Sequence, residues 1–585
     1  MICALELIRL RTPSLRNATP ITIGMWVGSA TSPNQFEDAM KYVLHGTNEN
    51  AGVLSKLVME CCPWCGSRFK AANNYIATAT EFHFCCINKE CDFGRYEHGI
   101  LPCNVVDEAL YKNPPTLLIA TIDKFARLAW DERATAFFGV TGSLPPELVI
   151  QDELHLIAGA LGSVAGLYEA ALDTVLKERG VHPKYIASTA TIRMAEQQVK
   201  RLYGRSLAVF PPPGLSCDDS YFARTVPLSQ RPGRMYVGYL APMLDKQHCM
   251  APLAAVLLAA PEVVFDVGQA DRAELLEAWW TQVIYHGSLK DVGNSHNTFN
   301  IDVQDIIRRL KVELKQTAKD AGENEFDMTE PIKRPAARIA QLTSISSADE
   351  NARTFSLLEN THDDTECIDA VLATNMISVG LDVARLALMI VNGQPLTTAE
   401  YIQASSRVGR SNVPGLVFAN YHRNQARSLS HYESFRPYHE AFYRFVEPTS
   451  VTPYTYQVRT RALHAALVIA IRHSGKYLLA NNCAGQFDST HDYVKKIIEA
   501  LKHRCALADP ERSSETASHI DLLVKQWQAE AAHCKTSKIQ MNYQTPDMDK
   551  VANRLLYSHD DQIKGLWPTL QSMRNVENTG LLKPL

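Results

Sequence analysis

Short runs of apolar, β-branched residues alternate along this chain with segments of helical periodicity, and they form two sets. The first set covers 21–28, 116–120, 148–150 and 185–187, and the second covers 282–285, 370–374, 387–391 and 415–420. Runs that are apolar on both faces suit buried strands of a parallel sheet with helices on each side. The sequence Phe210-Pro-Pro-Pro-Gly214 separates the two sets. We therefore expect an α/β fold with two parallel-sheet lobes.

The length of 585 residues is too great for one hydrophobic core and suggests about three domains. Beyond Tyr421 the pattern becomes helical, as at 460–472 and 520–532. We expect a first lobe, a second lobe and a helical C-terminal domain, at 1–240, 241–430 and 431–585.

Composition favours an ordinary globular protein, with 46% hydrophobic and 21% charged residues. The longest apolar runs, at 251–265 and 463–471, are too short or too interrupted to cross a bilayer. We therefore expect a cytoplasmic protein. Because 59 basic residues face 63 acidic ones, any nucleic-acid binding must use a local basic surface.

Two adjacent carboxylates end the third apolar run of the first set. In Leu148-Val-Ile-Gln-Asp-Glu-Leu-His155 they are Asp152 and Glu153. In nucleotide hydrolases one acidic residue at this place holds Mg²⁺, while a second orients or deprotonates the attacking water. A solvated turn is the alternative. The next strand favours the catalytic interpretation, because Ile186-Ala-Ser-Thr-Ala-Thr191 also ends in hydroxyl side chains.

A longer motif lies in the second lobe, Val371-Leu-Ala-Thr-Asn-Met-Ile-Ser-Val-Gly-Leu-Asp382. It places Thr374 at the end of a strand, followed by a turn glycine, Gly380, and an aspartate, Asp382. We expect the glycine and the aspartate to shape the loop that joins a phosphate site to a nucleic-acid groove. A purely structural turn is the alternative.

Two arginines, Arg407 and Arg410, lie three residues apart in Gln403-Ala-Ser-Ser-Arg-Val-Gly-Arg410. Such arginines, supplied from the second lobe to a γ-phosphate bound on the first, act as fingers worth on the order of 10³–10⁵ in rate. Surface charges are the alternative. If they are fingers, closure of the lobes is required for turnover.

In their order along the chain, these segments resemble motifs II, III, V and VI of the superfamily 2 helicases. Asp152 and Glu153 match the acidic pair, and His155 matches the fourth residue of the DExH form. Thr189-Ala-Thr191 stands in place of the Ser-Ala-Thr of motif III. The resemblance implies two RecA-like lobes and an ATP-dependent helicase.

Motif VI is matched in part. Gln403, Arg407 and Arg410 fall on its glutamine and both of its arginines. Ala404 and Ser406 replace an arginine and a glycine that are often found there. The departures leave both finger arginines in place but make the subfamily unusual.

Flanking segments narrow the resemblance to the DrmA family, the helicase subunits of the bacterial DISARM anti-phage defence system. The likeness covers nearly the whole chain and includes Leu101-Pro-Cys-Asn-Val-Val-Asp-Glu108, Leu118-Ile-Ala-Thr-Ile-Asp-Lys-Phe-Ala126, Gln151-Asp-Glu-Leu-His-Leu-Ile157, Gly393-Gln-Pro-Leu-Thr-Thr-Ala-Glu-Tyr401 and Ser572-Met-Arg-Asn-Val576. The resemblance implies an ATP-driven DNA translocase that works with a DrmB-like subunit. The implied substrate is DNA that is single-stranded or has a single-stranded end.

The sequence Gly-x-x-x-x-Gly-Lys-Ser/Thr does not occur in the 585 residues, so these residues lack the usual P-loop cradle and lysine for the β- and γ-phosphates. The predicted helix at 1–9 resembles the segment after motif Ia. We therefore expect an incomplete first lobe, from a truncated or split gene product, whose ATP and Mg²⁺ site needs a separate or missing N-terminal segment. ATP hydrolysis by these residues alone is expected to fail.

Six cysteines lie between Cys61 and Cys91, in Cys61-Cys-Pro-Trp-Cys65 and Cys85-Cys-Ile-Asn-Lys-Glu-Cys91. A Cys-x₂-Cys knuckle and a second pair about twenty residues later can close tetrahedrally on Zn²⁺. Reduced core cysteines are the alternative. Four thiolates leave no open position for catalysis, so we expect a structural zinc ribbon at 58–98. The spacing selects as ligands Cys62, Cys65, Cys86 and Cys91.

Two segments are candidates for binding nucleic acid. Thr121 and Lys124 fall in a first-lobe segment that resembles one contacting the strand backbone in helicases. In 421–445, arginines that include Arg423 and Arg427 alternate with aromatic residues, which suits phosphate contacts and base stacking. A solvated helix with a buried aromatic face explains the second segment equally well.

Two other functions compete with the helicase interpretation. A DNA-binding or scaffold subunit could keep the two-lobed shape without hydrolysis, as the missing P-loop suggests. A zinc-dependent nuclease or deaminase is disfavoured, because the four-cysteine site lacks an open coordination position and a neighbouring His-x-Glu.

Overall fold

The fold is described from a computed structural model. It describes residues 1–573 apart from positions 30, 46–54, 71–72, 96–98, 141, 190–192, 213, 217–218, 220, 223, 246–247, 266–269, 321–331, 333–337, 347, 379–382, 411 and 546–552.

The β-strands of the described residues are β1 (Ile23–Trp26), β2 (Tyr75–Ala77), β3 (Phe82–Phe84), β4 (Cys103–Asn104), β5 (Leu117–Ala120), β6 (Leu148–Gln151), β7 (Lys184–Ala187), β8 (Arg234–Leu240), β9 (Gln282–His286), β10 (Ile339–Leu342), β11 (Ala370–Ala373), β12 (Leu388–Asn392), β13 (Gly415–Tyr421), β14 (Met541–Asn542), β15 (Asn553–Arg554), β16 (Leu556–Tyr557) and β17 (Trp567–Pro568).

The α-helices of the described residues are α1 (Ile2–Arg11), α2 (Phe36–His45), α3 (Asp107–Lys112), α4 (Gly159–Glu178), α5 (Ala195–Tyr203), α6 (Met250–Val264), α7 (Arg272–Trp280), α8 (Leu289–Thr298), α9 (Gln304–Asp320), α10 (Ala348–Leu358), α11 (Thr398–Ser405), α12 (Ala426–Glu433), α13 (Phe435–Glu440), α14 (Tyr456–His473), α15 (Asp492–Ala508) and α16 (Ser513–Thr536).

The chain forms two compact units, and both contain parallel sheets, as predicted. The first unit comprises Met1–Thr189, Met194–Ala208 and Thr449–Leu585. The second comprises Ala190–Arg193 and Val209–Pro448. The predicted boundaries at residues 240 and 430 do not coincide with the limits of these units.

Short parallel sheets form the α/β part of the first unit. β1 lies between β4 and β5 in one sheet, and β6 pairs with β7 in another. Since β6 and β7 run parallel and in register, their carboxyl ends meet at one edge. That edge carries the predicted carboxylates and hydroxyls.

The second unit is built on one six-stranded parallel sheet of order β10-β11-β9-β12-β13-β8. Every residue of the central strands β9, β11 and β12 is buried. Such full burial is expected when helices cover both faces of a parallel sheet. This burial explains why the sequences of the central strands are continuously apolar.

The predicted helical C-terminal region is confirmed, but it belongs to the first unit rather than to a unit of its own. A buried ion pair joins its helix α15 to α4, since Nε of Arg504 lies 2.7 Å from Oδ2 of Asp173. Arg504 also donates to the Leu202 carbonyl at 2.9 Å. Helical periodicity identifies a buried face but not the element that will cover it, so the sequence could not reveal this packing.

Two histidines of α14, His464 and His473, are buried in the first unit. Nε2 of His473 lies 2.7 Å from the Leu128 carbonyl oxygen, which requires the proton to be on that nitrogen. Nε2 of His464 lies 3.1 Å from Oγ1 of Thr569. Burial lowers the pKa of each imidazole to about 4. Both side chains are therefore held neutral.

We expect the first unit to lose stability as the pH falls from about 6.5 to about 4, because the unfolded chain protonates these imidazoles first. The stability that the two neutral imidazoles contribute is fully present above the pKa of histidine in the unfolded chain, about 6.5. Each histidine contributes up to roughly 3 kcal/mol, by the free energy of a pKa shift. The charged neighbours are Arg472 and Asp131 for His473, and the titratable neighbour of His464 is His519.

Urea unfolding at a series of pH values measures this effect. His473→Gln keeps an N–H donor and should remove about half of the pH dependence, whereas the exposed control His182→Gln should keep all of it. Identical pH dependence in the wild type and in both variants would rule out the buried imidazoles as its source.

Within the part of the chain that the structure describes, the helices are all too short or too polar to span a bilayer.

Candidate functional site

Asp152 follows β6 directly, and its carboxylate is exposed. Its Oδ1 accepts a hydrogen bond from the Ser188 hydroxyl, at the end of β7, and another from the Glu153 amide at 3.0 Å. These bonds fix the carboxylate at the carboxyl end of two parallel strands, which is where open α/β sheets bind ligands. Its oxygen atoms are the type of ligand that Mg²⁺ prefers.

Glu153 has a left-handed backbone, with φ of 51°. For a residue with a side chain this conformation costs about 1–3 kcal/mol and is concentrated at functional sites. Oε2 of Glu153 lies 3.2 Å from Nδ1 of His155, whose side chain is only 10% exposed. The turn thus directs two adjacent carboxylates differently, one toward Ser188 and the other toward His155.

Ser188 was not among the predicted site residues, although it lies in the predicted hydroxyl run. The predicted Thr189 is exposed next to it. Alternation along β7 decides which hydroxyl reaches the neighbouring strand, and the sequence alone did not fix that register. Thr191 lies outside the described residues.

Two other predicted residues, Thr374 and Thr121, directly follow strands. Thr374 comes directly after β11 and is buried, with its amide donating to the Leu342 carbonyl at 3.2 Å. Thr121 is exposed where β5 ends. Gly380 and Asp382 lie outside the described residues.

The predicted arginines occupy the turn at the carboxyl end of α11 in the second unit. Gln403 lies in the last turn of α11, and Arg407 and Arg410 follow it. Nε of Arg410 donates to the Ser406 carbonyl at 3.1 Å. Gly409 has φ of +67°, and a Cβ atom there would lie 2.6 Å from Cα of Gly415. The turn therefore needs glycine between its two arginines.

Lys124 does not have the environment predicted for a nucleic-acid contact. It is buried, and its Nζ lies 2.6 Å from Oδ2 of Asp107 and 3.2 Å from Oδ1 of Asn34. The helical turn that begins at Ile122 points this side chain into the core of the first unit. An ammonium group held there is not presented to a DNA phosphate, so Lys124 is better described as a structural ion-pair residue.

The second predicted nucleic-acid segment surrounds α12. Arg423 and Arg427 are exposed, and so are Tyr443 and Phe445 further along. Arg423 also donates to the Pro242 carbonyl. The aromatic residue Tyr438 is buried instead, which supports the alternative for part of the segment.

The structure brings together the four cysteines that the spacing selected. Their Sγ atoms all lie within 4.8 Å of one another, and the members of this group are Cys62, Cys65, Cys86 and Cys91. Sulfur atoms about 2.3 Å from one tetrahedral ion are about 3.8 Å apart. The separation of 3.7 Å between Sγ of Cys65 and Sγ of Cys86 fits this geometry.

Backbone hydrogen bonds close the turn of the Cys62-x₂-Cys65 knuckle. The Gly66 amide donates to the Cys62 carbonyl at 2.9 Å, and Gly66 has φ of 72°. Burial raises the pKa of the Cys62 and Cys86 thiols, so both would be protonated without a metal ion. Metal binding at these residues should therefore release protons.

Comparison with known proteins identifies relatives of both units. Residues 314–412 match the helicase conserved C-terminal domain. The chain is 34% identical over 631 aligned residues to the DISARM protein DrmA of Bacillus paralicheniformis, with 100% of this chain and 54% of that protein covered. The chain thus spans about half the length of the curated relative it matches.

Similar solved structures include the DUF1998 helicase MrfA bound to DNA and AMPPNP, at 14% identity and a TM-score of 0.43, with 77% of this chain and 48% of that chain covered. Another is the Mycobacterium smegmatis helicase Lhr bound to single-stranded DNA and AMP-PNP, at 16% identity and a TM-score of 0.38, covering 86% and 50%.

The whole length of the chain aligns with the DISARM relative, and the helicase C-terminal domain falls within the second unit. The chain therefore belongs to the DrmA family.

Proposed function

We propose that this protein is an ATP-dependent DNA helicase or translocase subunit of a bacterial anti-phage defence system, acting in the cytoplasm. The observation that carries the proposal is the joined end of β6 and β7, where Ser188 holds the Asp152 carboxylate beside Glu153. Membership of the DrmA family supports the defence role. The proposed partners are DNA that is single-stranded or has a single-stranded end, and a DrmB-like subunit.

In the first unit, each acidic residue has a separate proposed role. Asp152 would hold Mg²⁺ through its exposed carboxylate, and Glu153 would accept a proton from the attacking water. His155, 3.2 Å from Glu153, would orient that carboxylate. Exposed Thr189, at the end of β7, would couple hydrolysis to movement along DNA.

In the second unit, Gln403, Arg407 and Arg410 would act on the same nucleotide, with the arginines compensating charge that develops on the γ-phosphate. We also propose that Thr191, Thr374, Gly380 and Asp382 couple ATP hydrolysis to movement along DNA. For DNA, the proposed contacts are Thr121, Arg423 and Arg427.

A phosphate cradle would complete this site. Since the 585 residues contain no Gly-x-x-x-x-Gly-Lys-Ser/Thr sequence, we propose that a separate segment supplies it. Zn²⁺, held by the four cysteines, would stabilise the ribbon without taking part in hydrolysis.

ATP hydrolysis with and without single-stranded DNA tests the proposal. The assay compares the 585 residues alone with a protein in which they are joined to the part of the DrmA relative that they do not match. We expect DNA-stimulated hydrolysis by the joined protein and very little by these residues alone. Absence of hydrolysis from the joined protein, with its fold intact, would contradict the proposal.

A non-catalytic DNA-binding or scaffold subunit is the second candidate, favoured by the missing cradle sequence and by the exposed arginines at 423 and 427. It predicts DNA affinity that falls with salt and does not respond to ATP, even in the joined protein. Loss of Arg427 should lower the slope of that salt dependence by about one, whereas loss of the exposed Arg353 on α10 should not change it.

A further inference from the structure

Two arginines outside the matched motifs contact the turn that carries Arg407 and Arg410. Nε of Arg234 donates to the Val408 carbonyl at 2.6 Å, and its Nη2 donates to the Ser406 carbonyl at 3.0 Å. Arg231 donates to the Arg410 carbonyl at 2.6 Å. Three alternate carbonyl groups of the turn, at positions 406, 408 and 410, thus accept hydrogen bonds from side chains of one short segment.

These acceptors lie at and just beyond the carboxyl end of α11. Of the three acceptors, the Ser406 carbonyl belongs to the C-cap residue of α11, and those at 408 and 410 follow it, near the negative end of the helix dipole. A guanidinium group suits this place because its planar fork donates two hydrogen bonds in fixed directions. Arg234 uses that fork to hold two carbonyls of the turn.

The sheet brings Arg234 within reach of the turn. Arg234 is the first residue of β8 and pairs with Gly415, the first residue of β13. The turn approaches this pair closely, because Gly409 and Gly415 have no side chains to keep them apart. The Gly409 amide also donates to the Leu386 carbonyl at 2.8 Å. The pairing of β8 with β13, the close contact of Gly409 with Gly415 and the two hydrogen bonds from Arg234 together hold the backbone of the turn in one conformation.

The same arginines surround a small cavity. It has a volume of about 340 Å³ and is lined by Arg231, Pro232, Gly233, Arg234, Gly409 and Arg410. Among the described residues that line it, three are arginines and none carries a carboxylate. The positive potential of these arginines would attract a negatively charged phosphoryl group to the turn beside Arg410.

We propose that Arg231 and Arg234 are positioning residues, which hold the turn so that Arg407 and Arg410 have a fixed orientation. The catalytic consequence rests on the proposed function of those two arginines, but the structural role does not. Arg234 contributes through the direction of its hydrogen bonds, so a lysine, which keeps the charge but lacks the fork, should not replace it fully.

Hydrogen exchange of the backbone amides at 406–410 tests the positioning role directly. For Arg234→Ala we expect exchange about tenfold faster there, unchanged exchange in β12 and a melting temperature within about 3 °C of the wild type. Arg234→Lys should give an intermediate increase, and Arg231→Ala a smaller one at 410. Arg353→Ala, on the exposed face of α10, is the matched control.

The joined protein provides the second readout. Arg234→Ala should lower kcat about tenfold with less than about a twofold change in KM for ATP, because the turn is needed in the transition state more than in binding. If the wild-type joined protein does not hydrolyse ATP, the proposed function fails while hydrogen exchange still decides the positioning role. Exchange at 406–410 within twofold of the wild type in Arg234→Ala, or full restoration by lysine, would overturn the inference. If the alanine variant does not fold, Arg234→Lys and Arg231→Ala decide it.

Discussion

Replacement of Glu153 by glutamine is expected to lower ATP hydrolysis by the joined protein by roughly 10²–10⁴-fold, which is the usual contribution of a general base. Glutamine has nearly the same shape and keeps the turn, but it cannot accept the proton of the attacking water. Affinity for ATP should change little, because the loss affects the transition state. Steady-state hydrolysis and equilibrium nucleotide binding measure the two effects separately.

The chain offers a matched control for this substitution. Glu147 is an exposed glutamate immediately before β6, at the opposite end of the strand from Glu153. Glu147→Gln removes the same charge and should leave hydrolysis unchanged. Retention of wild-type hydrolysis by Glu153→Gln would exclude this residue as the base, and an equal loss in both variants would indicate a general effect of charge.

Loss of one cysteine from the four-thiol cluster should have a comparably large effect on structure. Cys86→Ser is expected to lower bound zinc from about one ion per chain to near zero, because a tetrahedral site with three thiolates binds far more weakly. Structural zinc contributes roughly 10–16 kcal/mol in small peptides, which is enough to fold a ribbon of this size. Proteolysis within 58–98 should therefore increase strongly in the variant.

Cys61→Ser is the control for the metal site. Cys61 is exposed and adjacent to Cys62, but it lies outside the group whose sulfur atoms converge. Its replacement should leave the zinc content and the protease resistance unchanged. Metal analysis that finds a full zinc ion in Cys86→Ser, or loss of zinc in Cys61→Ser, would contradict the assignment of ligands.

The sequence predicted the central strands β9, β11 and β12 well, whereas the runs at 148–150 and 185–187, also expected to be buried, form β6 and β7 with exposed apolar side chains such as Leu148 and Ile150. Two of the strands that the sequence missed have a common physical cause. β8 and β10 are the two edges of the six-stranded sheet, and neither is fully buried. Edge strands meet a neighbour on one side only, so they do not need the continuous apolar sequence of β9 or β12.

The contacts of individual side chains could not be predicted either, because they depend on packing between segments far apart in the sequence. Lys124 follows a β-strand as expected, yet its ammonium pairs with Asp107 in the core. Ser188 contacts Asp152, although Thr189 beside it was the predicted residue. In both cases the residue types indicated the right segment, while the direction of each side chain depends on backbone geometry that a single sequence does not specify.

The convergence of the four cysteines was predicted more reliably, because their spacing already limits the geometry. A Cys-x₂-Cys knuckle brings its two sulfur atoms together within one turn, and the structure adds a second pair from the other knuckle. In contrast, Arg231 and Arg234 had no recognisable spacing to the turn that they hold. Only the pairing of β8 with β13 reveals them.

Movement along DNA driven by ATP hydrolysis is tested most directly by displacement of streptavidin from the end of a biotinylated single strand. We expect the joined protein to accelerate displacement with ATP, and the Glu153→Gln variant to bind the strand without displacing streptavidin. Displacement that is equally fast without ATP, or that persists in Glu153→Gln, would contradict a motor that uses the carboxylates at the end of β6.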